Sequence, residues 1–208
     1  MLWWGVGALV AAVALGAATS GVLGFDATMI DIWWNGEMAQ WRSDVVVGAA
    51  YVLNDVGGGW IATFAIPIAI AVVLLLMRRW RAAVFALLAF IISAGLVQAL
   101  KHLFGRARPE DMLVLSDYGS FPSGHTANAA TIAAVAVLLF PRVWTAIVAV
   151  AWVVAMALSR TLLSVHWMSD TIGGALVGIA ASLLLAAAML RWVQQKPSSV
   201  EGAEALRQ

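Results

Sequence analysis

Cysteine is absent from this 208-residue chain and charge is scarce: 11% of residues are Asp, Glu, Lys or Arg, against 63% hydrophobic. The missing thiols exclude disulfides, thiolate metal sites and a cysteine nucleophile. The shortage of charge, with a mean hydropathy of +0.93, excludes an ordinary soluble domain, in which roughly half the residues are apolar. Net charge is only +1, and no basic stripe offers nucleic acid a surface. Internal repeats and a second domain are also missing. Tryptophan, by contrast, is plentiful, with eleven copies. Trp3, Trp4, Trp33, Trp34, Trp41, Trp60, Trp80, Trp167 and Trp192 fall near the ends of apolar runs, where indole rings anchor at headgroup depth.

A spanning helix needs about 20 mostly apolar residues. Six runs approach that length: 2–25, 60–77, 82–100, 126–140, 143–158 and 171–190. They predict an all-α integral-membrane bundle of six transmembrane helices, a single domain over 1–193 followed by a polar, cytoplasmic, disordered tail at 194–208. The fourth and fifth runs are short and reach spanning length only if flanking polar residues continue the helices. Pro67 predicts a kink in the second. The first run has the length of a signal peptide but no basic n-region, so it reads as a retained anchor. Between the first two spans, 26–59 mixes Trp, apolar and acidic residues, the composition of one or two interfacial helices. Gly57-Gly58-Gly59 marks a turn into span two.

Basic residues orient the bundle. Arg78, Arg79 and Arg81 fill one turn, Arg142 another, and Arg191 and Lys196 follow span six. The positive-inside rule puts these in the cytoplasm. The acidic 24–59 segment and the loops 101–125 and 159–170 then fall on the extracytoplasmic face. Lys101, Arg106, Arg108 and Arg160 lie there against the topological bias, and an anionic ligand is the simplest reason for them.

The same loops hold the remaining chemistry. Lys101 and Arg108 are seven apart and would share a helical face if helix three continued that far; Pro109 ends whatever helix precedes it. Pro122-Ser123-Gly124-His125 opens span four, with Ser123 as N-cap and Gly124 allowing close backbone approach. A helix N-terminus is an anion site in its own right, and His125 in its first turn can act as a general acid. His166 and Asp170, four apart at the mouth of span six, fall on one helical face. The carboxylate can hold one imidazole nitrogen while the other attacks phosphorus or a water. Plain capping roles are the alternative for both clusters. A metal site on His125, His166 and Asp170 is disfavoured by the three cations nearby, which would repel a divalent ion. Phosphoryl transfer, catalysed mainly by positioning and cationic stabilisation, suits the set.

Taken together, Lys101-x6-Arg108-Pro109, Pro122-Ser123-Gly124-His125 and Ser159-Arg160-x5-His166-x3-Asp170 resemble the three-part signature of the type 2 phosphatidic acid phosphatase superfamily. The six-span plan is similar to its small bacterial membrane members, and 54–59 is similar to a loop they carry before span two. The resemblance implies a nucleophilic His166 that forms a phosphohistidine, Asp170 orienting it, and His125 as general acid and base. It implies that Lys101, Arg108, Ser123, Gly124 and Arg160 hold the phosphoryl oxygens, with no metal and no cofactor. Arg106, His102 and Asp117 share these loops outside the signature, with substrate-side or structural roles.

The expected protein is thus an integral-membrane hydrolase of lipid phosphates or pyrophosphates at the outer leaflet. Polyprenyl pyrophosphate, phosphatidylglycerol phosphate and phosphatidic acid are candidate substrates, and membrane lipids are the expected partners. Competing readings are a lipid phosphotransferase using the same site and a non-catalytic phospholipid binder or transporter. Vanadium haloperoxidases share the constellation, since vanadate mimics the phosphorane, but they are soluble. The sequence leaves the oligomeric state open.

Overall fold

The computed structural model describes residues 1–21, 27–116 and 118–194. The expected tail beyond 194 lies outside these residues, as do Asp117 and Lys196. Among the described residues every regular element is helical: α1 (Leu2–Thr19), α2 (Met29–Gln40), α3 (Asp44–Gly57), a π-helical turn (Ile61–Ala65) leading into α4 (Ile66–Leu76), α5 (Trp80–Phe104), α6 (Gly124–Leu139), α7 (Val143–Leu162) and α8 (Met168–Gln194).

Four helices (α1, α5, α7 and α8) are long and apolar enough to cross a membrane. A fifth candidate is α3 with α4, bent by 49° at the glycines. The short helix α6 is apolar but has 16 residues, about 24 Å of rise. Thus four or five spans, rather than six, meet the length requirement. The reason is local: Gly58 caps α3 in extended backbone, and Gly59, at φ +55, adopts a left-handed conformation that costs a glycine little. Pro67 has no N–H to give its own helix, and the turn before it widens, with the Ile66 N–H donating to the Ile61 carbonyl. The expected kink is therefore a π-helical turn.

The expected interfacial segment contains two helices, α2 and α3. Thr28 and Ser43 cap them by accepting from the N–H groups of Asp31 and Val46, each cap contributing about 1 kcal/mol. At the bundle's centre, α6 packs against α8 through small residues. A Cβ on Gly174 would come within 2.3 Å of the Ser123 carbonyl oxygen, and one on Gly178 within 2.3 Å of that of Ala127. In the same way α1 seats Gly5 on Leu184 and Gly16 on Phe104 and Phe121. Large apolar side chains remain exposed around the outside, among them Val10, Ile68, Val72, Ile91, Ile147 and Val154. An apolar exterior over a close-packed interior is the arrangement that lipid requires.

The helices alternate in direction, so the C-termini of α5 and α7 and the N-termini of α4, α6 and α8 gather at one end. At the other end the Arg81 guanidinium lies 5.4 Å from the rings of both Trp80 and Trp192, which meet edge to face at 5.2 Å.

Candidate active site

Four separate stretches meet at the first end of the bundle. They enclose a cavity of about 650 Å³ whose wall includes Asn54, Gly58, Lys101, Gly124, His125, Arg160 and His166. Five residues of that wall (Gly58, Gly59, Gln98, Gly124 and His125) also line a second groove of about 580 Å³. That groove runs between α4, α5 and α6 past Phe64, Ile68, Phe90, Ile91 and Val97. A polar chamber thus adjoins an apolar trough.

Lys101 and Arg108 do not share a helical face. Helix α5 ends at Phe104, where Gly105 at φ +53 accepts the left-handed cap, so Arg108 lies beyond it on irregular chain. Pro109 is not what stops the helix. The two cations converge through a carbonyl instead: Lys101 Nζ and an Arg108 guanidinium N–H both donate to Gly119 O at 2.8 Å. Lys101 is 4% exposed, although it belongs to the last turn of α5 rather than to a loop. Ser159 and Arg160 are likewise inside a helix, since α7 continues to Leu162. Arg160 is buried, and it donates to Ser159 Oγ at 3.1 Å and to Asn54 Oδ1 at 2.7 Å.

Ser123 is the N-cap of α6, as its position predicted, accepting from the Thr126 N–H. It is fully buried and is not part of the cavity wall, whereas Gly124 is. The first-turn N–H groups of α6 have no intrahelical acceptor and carry the helix's positive end. His125 Nε2 lies 3.2 Å from the Asn54 carbonyl oxygen. A carbonyl only accepts, so the proton resides on Nε2.

His166 precedes α8 rather than lying on it, and Asp170 sits in that helix's first turn. The pair is therefore not set by helical spacing. The chain turns through Trp167, whose N–H donates to Asp170 Oδ2 at 2.8 Å, and this turn brings His166 Nδ1 to 3.5 Å from the same oxygen. Nδ1 has no hydrogen-bond partner among the described residues. Catalytic hydrogen bonds are often this long before substrate binds. Arg108 donates toward His166 Nε2 at 3.4 Å. A guanidinium has only donors, so Nε2 is the acceptor and Nδ1 carries the proton that faces Asp170. Burial pushes the His166 pKa down to about 4; Asp170 raises it, and Arg108 and Lys101 depress it further. The imidazole is thus neutral near pH 7, with its free lone pair on Nε2.

Two residues emerge that spacing alone passed over. Asn54 joins two clusters, accepting from Arg160 through its side chain and from His125 through its carbonyl. Arg106, assigned above only to its loop, is 2% exposed and donates to Asp170 Oδ1 at 2.5 Å. His102 is exposed and stacks on Tyr118 at 5.8 Å. Among the described residues no three His, Asp or Glu side chains gather where they could hold a metal ion.

Comparison with known proteins agrees with this geometry. The chain is 34% identical over 116 residues to a lipid A 1-phosphatase of Rhizobium johnstonii, covering 49% of this chain and 45% of that one. It is 29% identical over 122 residues to an undecaprenyl-diphosphatase of Sulfolobus acidocaldarius, covering 55% and 58%. The chain spans about half the length of the curated relatives it matches. A crystal structure of a transmembrane PAP2-type phosphatidylglycerolphosphate phosphatase from Bacillus subtilis superimposes with a TM-score of 0.79 at 23% identity, covering 93% of this chain and all of that one. The likeness establishes a shared helical fold. The PAP2 superfamily profile matches residues 82–195, more than half of the chain and all three clusters of the cavity, so this protein belongs to the PAP2 superfamily.

Proposed function

We propose that this protein hydrolyses the phosphate monoester or pyrophosphate of a membrane lipid at the extracytoplasmic face, through a phosphohistidine on His166. The observation that carries the reading is the joining of the two spaces: a chamber walled by Lys101, Arg160, His125 and His166 opens onto an apolar trough. A ligand that fits both is anionic at one end and hydrocarbon at the other. Arg78, Arg79, Arg81 and Arg142 cluster at the opposite end of the bundle, which supports an outward-facing chamber and a cytoplasmic C-terminus.

The chemistry follows from the proton positions. His166 Nε2 attacks phosphorus as the bond to the lipid-side oxygen breaks, and His125 gives that oxygen its Nε2 proton. A water then attacks the phosphohistidine, His125 takes its proton, the P–N bond breaks and inorganic phosphate leaves. Asp170 stabilises the charge that develops on the His166 ring. Lys101, Arg108, Arg160 and the α6 N-terminus, with Ser123 fixing that terminus, stabilise the equatorial oxygens, where cations and N–H groups act most strongly.

The test is inorganic phosphate release by the full-length protein in detergent, with excess chelator present. The panel is polyprenyl pyrophosphate, lipid A 1-phosphate, phosphatidylglycerol phosphate, phosphatidic acid and a short water-soluble phosphomonoester. Release from at least one lipid, with kcat/KM about 100-fold above the soluble ester, is the expected result. Such a ratio amounts to about 2.7 kcal/mol of tail binding realised at the transition state. Loss of all release on chelation, or equal use of the soluble ester, would overturn the reading.

Gly58 offers a narrower check. A Cβ there would lie 2.3 Å from His125 Nε2 and 2.9 Å from the Asn54 carbonyl oxygen. Gly58→Ala is expected to displace the His125 ring and to lower kcat by about 100-fold, the scale of an ångström-sized misplacement. KM should change little, because Gly58 contacts no cation in the site. An unchanged kcat would mean that His125 is not the proton donor.

A further inference from the structure

Behind the His166–Asp170 pair lies a buried chain of charge that the reaction scheme above does not use. Asp170 commits Oδ1 to Arg106, and Oδ2 to the Trp167 N–H and the approach of His166. Arg106 turns a second arm to Asp31 Oδ2 at 2.8 Å. It also donates to Ser169 Oγ at 2.7 Å, and its guanidinium carbon stands 5.7 Å from the Trp167 ring. Asp31 accepts from the Ser169 N–H at 2.9 Å, from Ser169 Oγ at 2.8 Å and from Thr28 Oγ1 at 3.0 Å. Asp31, Arg106 and Asp170 are 1%, 2% and 0% exposed. Asp31 and Arg106 are both absent from the cavity wall, so neither reaches a ligand there.

Docking of α2 does not by itself account for these groups. Removing two charges from water costs several kcal/mol per ion, and a well-packed apolar pair would hold a helix as firmly or better. What a carboxylate–guanidinium–carboxylate chain provides is direction. Arg presents a rigid fork; with one prong on Asp31 and the other on Asp170, the Asp170 carboxylate cannot rotate away from His166. Sharing also tunes charge, because a guanidinium bonded to two carboxylates withdraws less from each than it would from one alone. Burial works against the charged form of Asp31, yet the Ser169 N–H, Arg106 and Ser169 Oγ hold its carboxyl below the usual range. It is therefore an anion at neutral pH.

We infer that Asp31 and Arg106 are positioning residues for the phosphoryl transfer: Asp31 aims and partly neutralises Arg106, and Arg106 fixes Asp170 against the nucleophile. The inference rests on the reading of His166 as that nucleophile. It makes α2, which lies outside the stretch 82–195 that carries the family signature, a working part of the active site.

The test uses Asp31→Asn, Arg106→Gln and the double variant in the full-length protein, with orthovanadate and inorganic phosphate as inhibitors. Vanadate gains its affinity by bonding to the attacking nitrogen, whereas phosphate needs only the cations. Asp31→Asn is expected to lower kcat about 10-fold to 100-fold, the usual scale for a group supporting a catalytic histidine's partner, with KM within about 2-fold. Vanadate inhibition should weaken about 10-fold or more while phosphate inhibition stays within about 2-fold. The double variant should lose less than the product of the single losses, because each single variant strands a buried charge. Where Asp31→Asn does not fold, Ser169→Ala removes one hydrogen bond from each member, and a kcat loss of about 3-fold or more with the same inhibitor split is expected. A wild-type kcat, an equal weakening of both inhibitors, or strict additivity would overturn the inference. His166→Ala is the reference: if it stays active, the nucleophile assignment has failed, and if it is dead beside a fully active Asp31→Asn, only this inference has.

Discussion

Phosphate release should fall by roughly five to six orders of magnitude when His166 is replaced by alanine, the scale seen when a catalytic nucleophile is removed. That corresponds to about 7–8 kcal/mol of barrier. The remaining rate, above that in water, would come from Lys101, Arg108, Arg160 and the α6 N-terminus, which are untouched by the substitution. For the same reason phosphate should inhibit the variant within about 3-fold of its effect on the wild-type protein, since the imidazole supplies little ground-state binding. The fold should survive: His166 is 3% exposed, but its Nδ1 has no hydrogen-bond partner among the described residues, so truncation strands no strong contact. A second readout separates nucleophile from general base. Alkaline quenching of the wild-type protein during turnover should trap a base-stable, acid-labile phosphoryl group on the chain, and His166→Ala should trap none. Trapping in the variant, or a loss below about 100-fold, would assign the attack to another atom.

The separation of polar clusters from apolar runs was legible because each element carries its own periodicity or cap. Ser123 announces the start of α6 by its type and place, and the basic turn at 78–81 announces its end of the bundle. The span count was less legible. Composition reports how apolar a run is but not where its helix breaks, and Gly58, Gly59 and the π-helical turn shorten the second span in a way that hydropathy does not register. Site geometry divided along similar lines. Lys101, His125, Arg160 and His166 do meet at one cavity, yet the helical-face argument that linked Lys101 to Arg108 fails at Gly105. What joins them is the Gly119 carbonyl, a backbone group with no sequence signature.

Asp31 and Arg106 show the limit most clearly. They are 75 residues apart, and a buried pair at that separation depends on how α2 docks, which no local pattern encodes. A weak signal existed for each. Asp31 is a carboxylate flanked by Ile30 and Ile32 next to two tryptophans, and Arg106 is a cation on the face the positive-inside rule disfavours. Buried charge in a chain with so little of it was the common clue. The cations that touch the cavity and the one behind it looked alike at that level, because topology reports which side a charge is on and says nothing about its depth.

Asp170→Asn should lower kcat by roughly 10,000-fold, the effect of replacing the carboxylate that orients a catalytic histidine, or about 5.5 kcal/mol. The amide is nearly isosteric, so the loss reports charge and hydrogen-bond polarity rather than volume. Oδ1 and Oδ2 of Asp170 face three donors: the Arg106 guanidinium, the Trp167 N–H and His166 Nδ1. Asparagine turns one of those two positions into a donor. If its NH2 faces Arg106, two donors confront each other in a buried site, and if it faces His166, the imidazole proton is driven from Nδ1 to Nε2, where it blocks the attacking lone pair. Either orientation removes the negative charge that stabilises the ring as it bonds to phosphorus. Breaking the buried pair should also reduce stability by about 3–5 kcal/mol, because Arg106 loses one of two anionic partners. The variant must therefore be assayed below its melting transition, with folding checked by thermal unfolding in the same detergent. Folded Asp170→Asn that keeps more than a tenth of wild-type kcat would show that Asp170 only holds the loop, and that the negative charge behind His166 is not part of catalysis.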